Sequence, residues 1–190
     1  MALDVTNWNP DAARIYLDGD QARMPLIHRH LLSEKAGHLT SKPALELFPL
    51  SAAPDALLAG LLLYLNGWTE AHEIAQGLDT REGSYLHAIV HRMEPDASNS
   101  AYWFRRVGKH PIFPALAVEA EHIIAKEGIT QLSLKSGWDS DAFINFCQQA
   151  SFEPESANQR AAIEIQHTEW RLLMEWCNQP ASSSLRRLRT

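Results

Sequence analysis

Two histidines four positions apart, His87 and His91, are followed three residues later by Glu94 in the segment HAIVHRMEPD, residues 87 to 96. Imidazole nitrogens and carboxylate oxygens are ligands for zinc, iron and manganese. On a helix of 3.6 residues per turn, residues four apart share a face. With Tyr85 as zero, Tyr85, Leu86, Ile89, Val90 and Met93 fill an arc of about 140° and read as a core stripe. His87, His91 and Glu94 fill a separate arc of about 60° beside it.

A third histidine belongs with these two. The helical segments 68 to 76 and 82 to 94 are joined by GLDTR, and a connection this short favours antiparallel neighbours. His72 lies about seven residues before the middle of that turn and His87 about seven after it, so the two sit at one height. The expectation is a metal site of His72, His87 and His91, with Glu73, Glu94 or Asp96 as further ligand or base. The cofactor would be a divalent metal such as zinc, whose open position activates water. His87, His91 and Glu94 are then the catalytic candidates. Nine histidines in 190 residues give about 0.4 chance pairs at any one spacing, so HxxxH alone is a weak motif. A hydrogen-bonded structural cluster, or acid–base use of histidine without metal, stays open beside the metal reading.

Directly downstream, SAYWFRRVGKHP (residues 100 to 111) sets Tyr102, Trp103 and Phe104 in a row, followed by Arg105, Arg106, Lys109 and His110. Consecutive aromatics on a helix point in different directions, so one of them is expected to line a groove. Guanidinium forks match carboxylates and phosphates. Arg92, Arg105 and His110 are therefore expected to orient an anionic small molecule, or else to pair with local acids such as Glu94 and Asp96. Among the other histidines, His28 and His30 form HRH outside any strand, His167 falls in a core stripe, and His122 lies off its helix's stripe and reads as solvated.

The stretch WTEAHEIAQ, then GSYLHAIVHRMEPD and NSAYWFRRVGKHPIF, resembles a family of uncharacterised bacterial and fungal proteins with an HAI-HR-EPD…N-YW-RR-G-HP pattern. The resemblance covers about residues 66 to 113 and implies no reaction. The positions matching the pattern are His72, Gln76, His87, His91, Arg92, Glu94, Asp96, Asn99, Tyr102, Trp103, Arg105, Gly108, His110 and Pro111. The expected ligand-binding set is accordingly Arg92, Asp96, Asn99, Tyr102, Trp103, Arg105 and His110.

Helices must position these residues. Asn9-Pro10 opens a segment to Leu17, Pro54-Asp55 one that ends near Asn66-Gly67, and Trp68 to Gln76 and Glu82 to Glu94 follow. Asp96 caps a helix through Val107, Pro114 starts another that ends before Gly128, and Asp139 or Ser140 caps the next. The last runs from about Ala157 to Asn178 on a stripe of Ile163, His167, Trp170, Met174 and Cys177. Prolines and Gly37 between residues 21 and 52 predict short helical turns and loops. The expected fold is all-α, an irregular, orthogonal array of about six to eight helices, with residues 1–180 as a single helical domain and 181–190 as a flexible basic tail.

With 17 basic against 23 acidic residues and a formal net charge of −6, a nucleic-acid partner is not expected. The most apolar run, ALLAGLLLYL, is about half the length a bilayer span needs, so no membrane partner is expected either. MALDVTNWNPDAAR has no basic start followed by an apolar run, so a secretory leader is not expected and the cytoplasm is the expected compartment. Cys147 and Cys177 sit in apolar patterns without redox or zinc spacing. Two functions fit this reading. One is a pocket for a metal or an anionic small molecule, with hydrolytic or acid–base chemistry. The other is a non-catalytic interaction or structural module whose polar motif is an internal hydrogen-bond network.

Overall fold

A computed structural model describes residues 3–18, 24–28 and 34–180. The basic tail at 181–190 and His30 lie outside the described residues. Ten helices occur among them: α1 Pro10–Asp18, α2 Glu34–Thr40, α3 Ala44–Leu47, α4 Pro54–Tyr64, α5 Trp68–Gly77, α6 Arg81–Met93, α7 Ala97–Val107, α8 Phe113–Glu127, α9 Ser140–Ser151 and α10 Ala157–Cys177. The fold is all-α. The count exceeds six to eight because two of the short turns expected between 21 and 52 close into α2 and α3.

Local chemistry sets the helix ends. The Asn9 side chain accepts from the Asp11 N–H at 2.9 Å at the start of α1. Thr80, Asp96, Asp139 and Ser156 each accept a backbone N–H three residues on, at the starts of α6, α7, α9 and α10. Gly108 and Gly128, at φ 62° and 69°, close α7 and α8 in a region that L side chains disfavour.

Two helices form the centre. In α4 every residue from Ala56 to Tyr64 is buried, as its continuous apolar sequence requires. In α6 every residue from Gly83 to Met93 is buried. The apolar stripe of α6 accounts for only part of that. The remaining faces are covered by α5 and α7, with α4 and α9 also in contact. Two close approaches fix this packing. At Gly60 the α10 side chains Met174 and Trp170 lie against α4, and Trp170 Nε1 donates to the Gly60 carbonyl at 2.7 Å. At Gly83 the start of α6 touches the Leu78 backbone in the α5–α6 turn.

The buried hydrocarbon divides into two clusters. One gathers α1, α3, α4, α5, α6 and α7, and the other α8 and α9 with the first half of α10. The long α10 passes through both. Ala161, Ala162 and Ile165 belong to the second cluster and Trp170, Leu173, Met174 and Cys177 to the first. Between these groups stand Gln166 and Glu169, both fully buried. The α10 stripe read from the sequence is therefore displaced: Trp170, Met174 and Cys177 are core, whereas Ile163 and His167 are only half-buried and the fully buried Ile165, Gln166 and Glu169 were passed over. A polar pair at core spacing hides a buried face from a reading based on apolar residues. His122 is exposed, as expected.

Candidate metal centre

The α5–α6 hairpin and one turn of α6 bring three imidazoles together. His72 Nε2 lies 2.9 Å from His87 Nε2, and His91 Nε2 lies 3.0 Å from the same atom. All three donor atoms fall within 4.8 Å of one another. Four tetrahedral ligands at about 2.0–2.1 Å from zinc stand about 3.3 Å apart, so the two contacts at His87 are close to the spacing of ligands around one ion. His87 and His91 are buried, and His72 is half-buried at the outer edge. Ser100 on α7 donates to the Ala88 carbonyl at 2.8 Å and locks α7 over this turn of α6.

Neutral tautomers alone do not satisfy these contacts. His91 Nδ1 faces Glu94 Oε2 at 3.1 Å, and an ionised carboxylate only accepts, so the His91 proton belongs on Nδ1. Its Nε2 is then a bare lone pair. The 3.0 Å contact next requires a proton on His87 Nε2, and that same proton would have to serve the 2.9 Å contact to His72. In the opposite tautomer, the bare His91 Nδ1 would meet the carboxylate and His87 Nδ1, which is buried without a partner, would carry a wasted N–H. No set of neutral tautomers gives each contact its own proton. Adding a proton to His87 or His72 is disfavoured as well. Burial, then the neighbouring His91 and His72 rings, push the His87 pKa down to about 4. Burial, then His91, also lowers His72. A cation among three bare Nε2 lone pairs answers each of these contacts.

The surroundings support the donors from outside. The Glu94–His91 contact has the form of a carboxylate–histidine pair behind a metal, which fixes ring orientation and raises ligand basicity. Trp103 lies over the His87 ring with centroids 4.1 Å apart. Trp68 tilts against His72 at 5.1 Å and donates from Nε1 to the Val90 carbonyl at 3.1 Å. The His28 ring stacks on Trp68 at 4.3 Å, and its backbone N–H donates to the Met93 carbonyl at 3.0 Å. The Asn99 amide nitrogen lies 3.1 Å from His91 Nε2 and 3.3 Å from Nδ1. Standing nearly equidistant, it sits across the ring between the nitrogens rather than along either in-plane lone pair.

The other expected ligand-binding residues part company with this cluster. Arg92 is buried and pairs with the buried Glu169, with its guanidinium between Phe143 and Phe104 at 4.7 and 5.9 Å. It is held inside the protein and does not orient an external anion, which corrects the sequence reading. The reason was legible: at 100° per residue Arg92 falls about 20° from Tyr85, on the edge of the core stripe. Tyr85 OH donates to Glu169 Oε1 at 3.0 Å, and Gln166 Nε2 donates to the Pro25 carbonyl at 3.0 Å. The polar network thus bridges the seam between the two hydrophobic clusters. Its α10 members had no sequence signal except a glutamine and a glutamate at core spacing.

His110 is likewise buried away from the three histidines, against Tyr85, Phe113 and Trp176. Its Nδ1 accepts from the Ile112 N–H at 3.3 Å and its Nε2 points to Glu82 at 3.9 Å. That imidazole, helped by the Trp176 N–H at 2.9 Å, holds the Glu82 carboxyl down at about 2. Asp96 is occupied as the α7 cap, accepting from the Asn99 N–H and the Ser98 hydroxyl. Tyr102 and Arg105 are exposed, and Arg105 borders a groove with Lys109, Phe113 and Trp138. Of the expected ligand-binding set, Asn99 and Trp103 lie at the histidines. Glu73 is exposed beside His72. His28 and Trp68 were given no role at this site by the sequence. Burial raises the thiol pKa of Cys147 to about 12 and that of Cys177 well above its ordinary value, so neither is an activated nucleophile.

No helix among the described residues is long and apolar enough to cross a membrane. Comparisons with protein-family models, with curated proteins and with solved structures found no match for this chain.

Proposed function

We propose that the protein binds one divalent metal ion, zinc before others, through His72, His87 and His91, with Glu94 orienting His91 from behind. The observation that carries this reading is the convergence of three Nε2 atoms, at 2.9 and 3.0 Å from His87, beside the His91 Nδ1–Glu94 contact, a set to which no arrangement of neutral tautomers gives one proton per contact. Three imidazoles favour zinc among the common divalent ions, and magnesium and calcium, which prefer oxygen, are disfavoured. Three protein ligands and a half-buried edge at His72 are the pattern of a catalytic rather than a structural zinc site. Bound there, the ion would lower the pKa of a coordinated water and supply hydrolytic chemistry.

The internal-network reading keeps one specific support, the buried Arg92–Glu169–Tyr85–Gln166 group, which faces no solvent. The polar motif therefore divides between two tasks. Its histidine half binds metal, and its arginine half holds α6 against α10.

Elemental analysis after loading with zinc and desalting tests the proposal. Wild type should retain one equivalent and His87→Ala none. Equal retention by the two proteins would defeat it.

A further inference from the structure

The three donors are neutral rings, so an ion held by them keeps its full positive charge toward whatever fills the remaining position. Two of the three nearby carboxylates are engaged elsewhere, and the third, Glu73, is exposed on α5 beside His72. Glu94 reaches His91 through Nδ1, on the far side of the ring from the converging Nε2 atoms. Asp96 is committed to the first turn of α7. A polar side chain against the donors themselves is Asn99, half-buried on that same turn, with its amide nitrogen 3.1 Å from His91 Nε2 and off the axis of that atom's lone pair. An N–H so placed leaves the ligand free to bind metal and stands within reach of a group bound next to His91.

We propose that the fourth position of the metal takes a small oxygen anion, a carboxylate being the substrate class, and that the Asn99 amide donates to it. The cation would attract the anion, the amide would orient it, and Trp103 over His87 would form one wall of the site. This inference rests on the metal reading and adds to it the chemistry of the ligand.

Cobalt(II)-loaded full-length protein gives the test, because the visible spectrum of cobalt reports its coordination. Acetate, with azide as a second probe, is titrated into wild type and Asn99→Ala. The expected result is a saturable spectral change in wild type. In Asn99→Ala the dissociation constant for acetate should rise about tenfold, the loss of one hydrogen bond to a charged group, while cobalt affinity changes by less than about threefold. A cobalt spectrum indifferent to both anions would overturn the inference and leave the metal reading standing. An equal acetate affinity in the two proteins would remove Asn99 from it. Failure to bind cobalt at all would overturn the metal reading itself. If Asn99→Ala does not fold, the wild-type titration alone still decides whether an anion binds.

Discussion

His72 Nε2 and His87 Nε2 stand 2.9 Å apart across fifteen residues of chain. The short turn after α5 makes α5 and α6 antiparallel, and equal spacing from that turn puts the two rings at one height. His91, one turn further along α6, closes the group from the same side. A donor set assembled from one hairpin needs little beyond correct packing of two helices, and the loss of any one ring leaves two.

Zinc affinity should therefore fall sharply in each single variant. His87→Ala, which removes the ring common to both close contacts, should leave no stoichiometric binding, and His72→Ala and His91→Ala should each weaken it by at least about 100-fold. Competition against a chromophoric chelator measures this. Zinc at about 100 times its dissociation constant should also stabilise wild type by about 2.7 kcal/mol, seen as a rise in Tm that is missing in His87→Ala.

Glu94→Gln should weaken zinc about 10- to 100-fold without abolishing it, because the amide oxygen still accepts from His91 Nδ1–H but no longer raises ligand basicity. The same chelator competition gives the number. An unchanged affinity would assign Glu94 to the surface alone.

Metal-free protein should lose stability as pH falls. The His87 pKa is about 4 when folded and about 6.5 when unfolded. Below about 6.5 the unfolded chain takes up a proton that the folded one refuses, so the His87 contribution is complete above that pH, declines as pH drops, and is gone near 4. Solvent screening keeps the full difference below about 3 kcal/mol. Urea unfolding of wild type and His87→Phe between pH 7.5 and 4 isolates it. The stability gap should change with pH in this window, with wild type showing the steeper loss on acidification.

Glu169→Gln should destabilise the protein by about 3–5 kcal/mol, since it leaves the Arg92 charge buried without a partner. Arg92→Met combined with Glu169→Met should recover most of that loss, because a buried ion pair contributes less than its removal by halves costs. Urea denaturation of the single and double variants measures both.

Gly83→Ala should cost about 1–3 kcal/mol and weaken zinc binding as well. A methyl group there would meet the Leu78 side chain at Cβ and the Leu78 carbonyl oxygen at 2.6 Å, and overpacking against backbone has little room to relax. The turn that sets His72 opposite His87 would shift. Gly60→Ala should cost less, because the atoms it meets belong to the flexible end of Met174. Thermal melts with and without zinc compare the two.

The sequence alone determined eight of the ten described helices and the histidine group. Cap residues, prolines and glycines act within a turn of chain, so Asp96, Asp139 and Gly128 marked their boundaries before any packing was known. Helical period and a short turn are also local facts, and they were enough to bring His72, His87 and His91 together. What surrounds a helix is not local. Only the tertiary structure decided that α6 is enclosed on faces the apolar stripe left open, that Arg92, at the edge of that stripe, finds its partner in Glu169 on α10, seventy-seven residues away, and that His110 faces Glu82 rather than the three clustered histidines. It alone also brought His28 onto Trp68 and laid Trp103 over His87. The physical reason is that charge pairing and ring stacking depend on which distant surfaces meet, and a one-dimensional pattern records each residue's polarity without recording its partner.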